Sequence, residues 1–313
     1  MRVIHKSDEL DGTEGAVGVG LGNFDGLHIG HMALINVLIR ESKLNGLKSL
    51  VYTFTKHPEN IIRKKLFTTI LTSVDKKVEL LGETALDYLY FDEFDESYSR
   101  VKPEDFIKNI LVDRLQVKLA VAGFNYRFGY RGEGDVDLLK EFGRKYGFRV
   151  IIIPKIIIGE DIVSSTLIRQ SVARGDMDRV FNLMGRHYSL SGRVEKGKQL
   201  GNTLGFPTAN IYPEDYLTLP GHGVYVTKTL INGVLHNSVT NIGKNPTFEG
   251  QDRVSIETHI LDFDGDIYGQ WMEVFFILKL RGEKKFKGKD ELVRQIRLDA
   301  EKTREYLGIH GVS

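Results

Sequence analysis

Two histidines, His28 and His31, stand three residues apart just before an apolar, helix-period segment at 32–39. Residues three apart on a first helical turn share a face, so both imidazoles would meet one guest. They follow an apolar run at 16–21 and a turn holding Gly22, Asn23, Phe24, Asp25 and Gly26. Strand, glycine turn and helix start aim backbone N–H groups and a positive dipole end at an anion. The chemistry this suits is the handling of a nucleotide phosphate. Ser164, Ser165 and Thr166, with Arg169 one turn on, offer hydroxyls, N–H groups and a guanidinium at another helix start. Taken singly, a histidine pair is also common surface decoration, and Ser-Ser-Thr is an ordinary helix cap.

Later in the chain, Thr208 and Asn210 stand two apart in Gly205-Phe206-Pro207-Thr208-Ala209-Asn210. On an extended chain they share a face. They would present a hydroxyl and an amide oxygen, both suited to magnesium. A turn with local side-chain bonds is the competing reading. Glu257 and His259 share a face in the same way within an apolar, strand-like run. A glutamate among such neighbours needs a reason to be there; an exposed strand position is the plain one.

The elements that must position these residues differ between the two halves. Up to about residue 183, apolar runs at 16–21, 49–54, 88–91, 119–122 and 148–153 alternate with helix-period segments at 32–45, 74–81, 103–113 and 136–146. Gly46 and Gly147 supply helix stops, Pro103 suits a first turn, and Thr72 with Asp75 reads as a capping box for 74–81. Such alternation predicts a doubly wound, mostly parallel sheet, which binds ligands beyond the carboxyl ends of its strands. Residues 22–31, 53–58, 123–129 and 164–169 would all reach that edge. Independent decoration should not cluster there.

A helix at 171–183 then gives way to strands and tight turns. Asn232-Gly233 predicts one hairpin, and Asp264-Gly265, between 255–263 and 266–280, predicts another. Strands without intervening helices suggest a small Greek-key barrel. An amphipathic helix at 289–307 follows, with Leu292, Ile296 and Ala300 on one stripe.

The chain has 313 residues, 41% hydrophobic and 27% charged, with a net charge of +1. That profile fits two soluble domains and gives no electrostatic hint of nucleic acid or membrane. There is no cysteine, which excludes disulfides, thiolate nucleophiles and Cys-held zinc together. The first twelve residues lack the apolar stretch of a signal peptide, so the cytoplasm is expected.

These residues carry a resemblance. GNFDGLHIGH is similar to the HxGH signature of the nucleotidylyltransferase superfamily, and SSTLIR resembles its second signature. With GFNYRFG, the first half resembles the FMN adenylyltransferase module of bacterial bifunctional riboflavin kinase/FAD synthetases. The resemblance implies a Rossmann-like domain over 1–183 that transfers AMP from ATP to FMN, giving FAD. Gly22, Asn23, Phe24, Asp25, His28 and His31 would then hold ATP. Ser164, Ser165, Thr166 and Arg169 would hold pyrophosphate, and Asn125 and Phe128 would meet the flavin. A family segment reading TFDPHP reads Thr53-Phe54-Thr55-Lys56-His57-Pro58 here.

GNTLGFPTAN, GVYV, NIGKNPTF, IETHILDF and Tyr268-Gly269 are similar to the family's riboflavin kinase module, implying a second domain over 184–313. There Gly205, Pro207, Thr208 and Asn210 would bind ATP, and Thr208 and Asn210 would hold Mg2+. Glu257 would be the base for riboflavin, and residues 197–204 a loop over the nucleotide. A flavin-responsive binding protein with one inactive module is the alternative.

Overall fold

The computed structural model describes residues 1–5, 15–197, 204–246 and 252–310. The loop expected over 197–204 falls almost wholly outside them. The chain forms two compact units, Met1–Ser165 and Thr166–Ser313.

The first unit is built on strands β1 (Arg2–Ile4), β2 (Val17–Leu21), β3 (Lys48–Phe54), β4 (Tyr88–Asp92), β5 (Val117–Gly123) and β6 (Arg149–Ile153). They form one sheet in the order β1-β4-β3-β2-β5-β6, parallel throughout. The chain winds outward from β2 to β4, then resumes at β5 on the other side of β2. The switch point therefore lies between β2 and β5, where the turn at 22–28 and the loop at 123–129 emerge. The edge strand β1, three residues paired with β4, is too short to leave a periodic signal.

Both faces of the sheet are covered. Helices α1 (Ile29–Leu44) and α3 (Val74–Gly82) bring Leu34, Ile35, Leu38 and Leu81 onto Val51, Leu89 and Val121. On the other face a turn α4 (Pro103–Asp105) runs into a π-helix (Phe106–Arg114). With α5 (Val136–Tyr146) it packs Phe106, Leu111, Leu139 and Phe142 on Val19, Leu21 and Ala120. The glycines of β2 let α1 sit close: a Cβ on Gly18 would lie 2.2 Å from Ser42 Oγ. A short helix α2 (Pro58–Ile62) opens on Pro58. The cap of α3 is Ser73, which accepts from the Lys76 N–H, one residue later than the Thr72 expected. Thr72 is taken instead by Asp25, which accepts its N–H at 3.2 Å. Strands β7 (Ile157–Ile158) and β8 (Asp161–Ile162) form a small hairpin.

In place of one helix at 171–183 stand two, α6 (Ser165–Arg174) and α7 (Met177–Met184). Gly175, at φ +79°, breaks the run, and the Asp176 side chain caps α7. The second unit then adds β9 (Tyr188–Arg193), β10 (Ala209–Ile211), β11 (Gly223–Ile231), β12 (Val234–Pro246), β13 (Asp252–Ile260) and β14 (Trp271–Arg281). Their order is β10-β13-β12-β11-β14-β9, all antiparallel. β11 to β13 form a meander and β14 returns beside β11, a Greek key. The Glu195 N–H donates to the Asn210 carbonyl at 2.8 Å, curling the sheet round on itself.

The Asn232-Gly233 hairpin forms as expected. The Asp264-Gly265 hairpin does not, because β13 pairs with β12 and β10 while β14 pairs with β11 and β9. Residues 261–270 instead carry the chain across the meander. Their left-handed positions are Asp262 and Gly269, not the Asp-Gly pair. Inside the sheet, buried hydroxyls link in sequence. Thr229 meets Ser238 at 2.7 Å, Ser238 meets Thr227 at 2.7 Å, Thr227 meets Thr240 at 2.8 Å and Thr240 meets Thr258 at 2.9 Å. Helix α8 (Lys289–His310) buries Ala300 and Leu307.

Candidate functional sites

The turn after β2 passes through the left-handed region at Phe24, Gly26 and Leu27, with φ of 49°, 86° and 40°. Non-glycine residues there cost roughly 1–3 kcal/mol each. Phe24 and Leu27 are wholly buried and anchor the turn from below. Polar groups fix the rest. The Asp25 carboxylate accepts from the Leu71 N–H at 2.8 Å and from Thr72, and the Asp25 carbonyl accepts from Ser165 Oγ at 2.8 Å. The Asn23 carbonyl accepts from Thr53 Oγ1 at 3.0 Å and from Lys77 Nζ at 2.9 Å.

His28 caps α1, its Nδ1 accepting the His31 N–H at 3.2 Å. The two rings stack with centroids 3.6 Å apart, and Phe24 meets His31 edge-on at 5.3 Å. A Cβ on Gly30 would come within 3.2 Å of the His28 ring, so the glycine between the histidines makes room for it. The spacing did put both imidazoles on one face. Gly22 is half-buried and Asn23 exposed, while Asp25 is buried and occupied with the 71–72 backbone. A narrow cleft beside the turn is lined by Asn23, Asp25, Phe54, Lys56, His57 and Lys77.

Lys77 was not expected here. Burial lowers its ammonium to about 8, against the opposing pull of Asp25. Its signal is faint but present: with Val74, Val78 and Leu81 it occupies the apolar stripe of α3. Tyr52 of β3 donates to Asp92 at the end of β4 and shares a 2.8 Å hydrogen bond with Tyr98. Burial pushes both tyrosine hydroxyls far up, so they stay neutral. Phe54 packs edge-on against Phe94 and Tyr98. In the loop after β5, Phe124 and Asn125 are exposed. Phe128 turns inward against Phe106, Tyr126 and Gly134. Ser164 and Ser165 are half-buried at the start of α6, where Arg169, one turn on, donates to the exposed Thr166 hydroxyl at 3.4 Å.

Among the described residues of the second unit, two neighbouring cavities share Thr208. One, of about 310 Å3, is lined by Gly197, Pro207, Thr208, Asn210, Thr258 and Tyr268. The other, of about 560 Å3, is more apolar and takes in Thr208, Asn241, Glu257, Arg281, Phe286 and Ile296. Thr208 lines both. Register explains the convergence: Glu257 on β13 stands opposite Asn210 on β10 and opposite Asn241 on β12. Side chains directly opposite share a face of the sheet. Ser255 Oγ donates to Glu257 Oε1 at 3.3 Å.

Asn210 is buried, its amide donating to the Thr208 carbonyl at 3.4 Å. A Cβ on Gly197 would lie 2.5 Å from that amide, so the backbone is tailored around it. Gly205, at φ +80°, gives the turn its hand, and the exposed Pro207 offers its carbonyl to His259 Nδ1 at 2.9 Å. Arg281, also unforeseen, donates to both carboxylate oxygens of the buried Asp299 of α8, from Nε at 3.3 and 3.1 Å and from Nη2 at 2.9 Å. Gln295 donates to the same carboxylate at 2.9 Å. Among the described residues no group of three His, Asp or Glu could hold a metal, and no helix is long and apolar enough to cross a membrane.

Residues 12–167 match the family model described as FAD synthetase, and residues 184–307 match the model described as riboflavin kinase. A Listeria monocytogenes protein named bifunctional riboflavin kinase/FMN adenylyltransferase is 38% identical over 92% of this chain and 91% of its own. The Escherichia coli K12 protein of the same name is 36% identical over 99% and 98%. A crystal structure from Streptococcus pneumoniae, titled a macrolide-efflux protein, superposes with a TM-score of 0.89 at 30% identity. It covers 97% of this chain and 99% of that one.

Proposed function

The chain belongs to the bifunctional riboflavin kinase/FMN adenylyltransferase family, and from that premise we propose which residues carry each step. The kinase domain, 184–313, phosphorylates riboflavin with ATP, and the adenylyltransferase domain, 1–183, joins FMN to AMP from a second ATP.

The observation that carries the kinase assignment is the row Asn210, Glu257, Asn241 across three strands, beside two cavities that share Thr208. ATP takes the smaller cavity and riboflavin the larger, apolar one. The Glu257 carboxylate accepts the proton of the riboflavin 5′-hydroxyl as its oxygen attacks the γ-phosphorus, and ADP leaves. Such a base is worth ~10²–10⁴-fold. Thr208 and Asn210 offer neutral oxygen donors in a backbone-tailored recess. They fit Mg2+, which they would hold beside the ATP phosphates and which would neutralise phosphate charge there.

At the adenylyltransferase site an FMN phosphate oxygen attacks the α-phosphorus and pyrophosphate leaves, so no protein nucleophile is needed. Catalysis is positioning and charge stabilisation. His28 and His31, with Gly22, Asn23, Phe24 and Asp25 shaping the turn, face the ATP phosphates. Ser164, Ser165, Thr166 and Arg169 hold the pyrophosphate. Asn125 meets the flavin phosphate, while Phe128 supports the loop from beneath. The site chemistry favours flavin and nucleotide over the efflux role named for the streptococcal structure. The cytoplasm is the compartment proposed.

The test supplies riboflavin, ATP and Mg2+ and separates riboflavin, FMN and FAD over time. His31→Ala is expected to accumulate FMN without FAD. Glu257→Gln is expected to leave riboflavin untouched yet convert added FMN. Either substitution abolishing both steps in a folded protein would sink the two-site assignment.

A further inference from the structure

Lys77 lies outside both family signatures. It sits on the buried stripe of α3 with Val74, Val78 and Leu81, and a methionine would fill much the same room without a charge to desolvate. Burying an ammonium is costly, and the packing of α3 alone gives no reason for one. Its partners point to the neighbouring turn. Nζ lies 2.9 Å from the Asn23 carbonyl oxygen and 3.4 Å from Thr53 Oγ1, and Thr53 Oγ1 donates to the same carbonyl. A carbonyl oxygen has two lone pairs, so two donors commit this one to the interior. Asn23 directly precedes the left-handed run that delivers His28 to the start of α1. A carbonyl turned the other way would oppose an arriving phosphate.

We propose that Lys77 is a positioning residue for adenylyl transfer: its ammonium fixes the Asn23 carbonyl, and through it the turn that presents His28 and His31, and adds positive potential behind the phosphate cleft. The groups facing it are the Asp25 carboxylate, the Thr53 hydroxyl and the Phe91 ring, 5.8 Å from Nζ, with Lys56, His57 and Thr72 across the cleft. The inference rests on reading the two histidines as phosphate-facing.

The test compares Lys77→Met and His31→Ala for FAD formation from FMN, with riboflavin phosphorylation by the same chain as the control for folding. Lys77→Met is expected to lower kcat for FAD formation ~10²-fold, the typical cost of one preorganised donor. The KM for FMN should stay within about threefold, and the kinase reaction should be unchanged. Wild-type FAD formation should fall as pH rises through about 8, and the variant should lack that alkaline limb. A folded Lys77→Met protein with kcat within about threefold of wild type, or with the limb intact, overturns the inference. Should Lys77→Met fail to fold, Thr53→Val keeps the ammonium and should keep the limb. A wild-type profile flat from about pH 7 to 10 overturns the inference without any variant. If His31→Ala retains full FAD formation, the phosphate reading itself fails. If only Lys77→Met is silent, that reading stands and the role of Lys77 falls.

Discussion

Lys77→Met is expected to make the first unit more stable at neutral pH even as it costs activity. The ammonium falls from its ordinary 10.5 to about 8 because burial disfavours the charge. That fall corresponds to about 3 kcal/mol of stability withheld at pH 7. The sign follows from proton counts. Between about 8 and 10.5 the unfolded chain binds a proton that the folded chain does not, so stability rises with pH across that window. Below it the cost is present in full; above it the cost is gone. Methionine removes the charge and with it a charge-assisted hydrogen bond to Asn23 worth about 2 kcal/mol, while Thr53 still serves that carbonyl. The net gain at pH 7 is about 1 kcal/mol, or a rise of about 3 °C in a unit of this size. Far-UV circular dichroism follows both units. The single tryptophan, Trp271, reports the second alone, so the difference isolates the first. The advantage of the variant should shrink as pH approaches about 10.5. A variant less stable at pH 7, or a difference that does not change with pH, would refute the reasoning.

Other substitutions probe the remaining geometry. Asn210→Ala should raise the KM for Mg-ATP in riboflavin phosphorylation about tenfold, the worth of one hydrogen bond to a charged group, and leave FAD formation alone. A magnesium titration of the kinase rate would check it. Gly134→Ala would place a Cβ 2.6 Å from the Phe128 ring; overpacking there should cost about 1–3 kcal/mol in thermal unfolding and weaken FMN use through the Asn125 loop. Asp299→Asn leaves Arg281 without a charged partner. It should destabilise the second unit by about 1–3 kcal/mol and raise the riboflavin KM, measured by following FMN formation.

Much of the first site is legible in the chain because it is local. His28, Gly30 and His31 meet through one helical turn, and the glycines at 18 and 20 mark where α1 presses on the sheet. The second site is legible only as fragments. Thr208, Asn210 and Glu257 carry suitable chemistry, but Glu257 meets Asn210 and Asn241 through strand register, which no local pattern encodes. The same blindness explains Asp264-Gly265: an Asp-Gly turn is good hairpin chemistry, and only the Greek-key order, with β14 beside β11, denies it a partner. Lys77 is hidden for another reason. A lysine on an amphipathic helix reads as surface, and its burial is visible only as a charge in step with Val74 and Leu81. The break at Gly175 shows that a glycine between two apolar stripes outweighs their shared period when an aspartate follows to cap the second helix.

The linked hydroxyls from Thr229 to Thr258 have a consequence for how the second unit finds its alignment. An apolar interior tolerates neighbours that slide, since one methyl contact resembles another. A hydroxyl interior does not, because each oxygen is satisfied only by a counterpart at the matching position on the next strand. Moving β12 one residue against β11 would turn Ser238 and Thr240 to the opposite face and strand Thr227, Thr229 and Thr258 in a dry space at a cost of about 1–3 kcal/mol each. The row therefore acts as a key cut into three strands. It admits the one pairing that also sets Glu257 opposite Asn241.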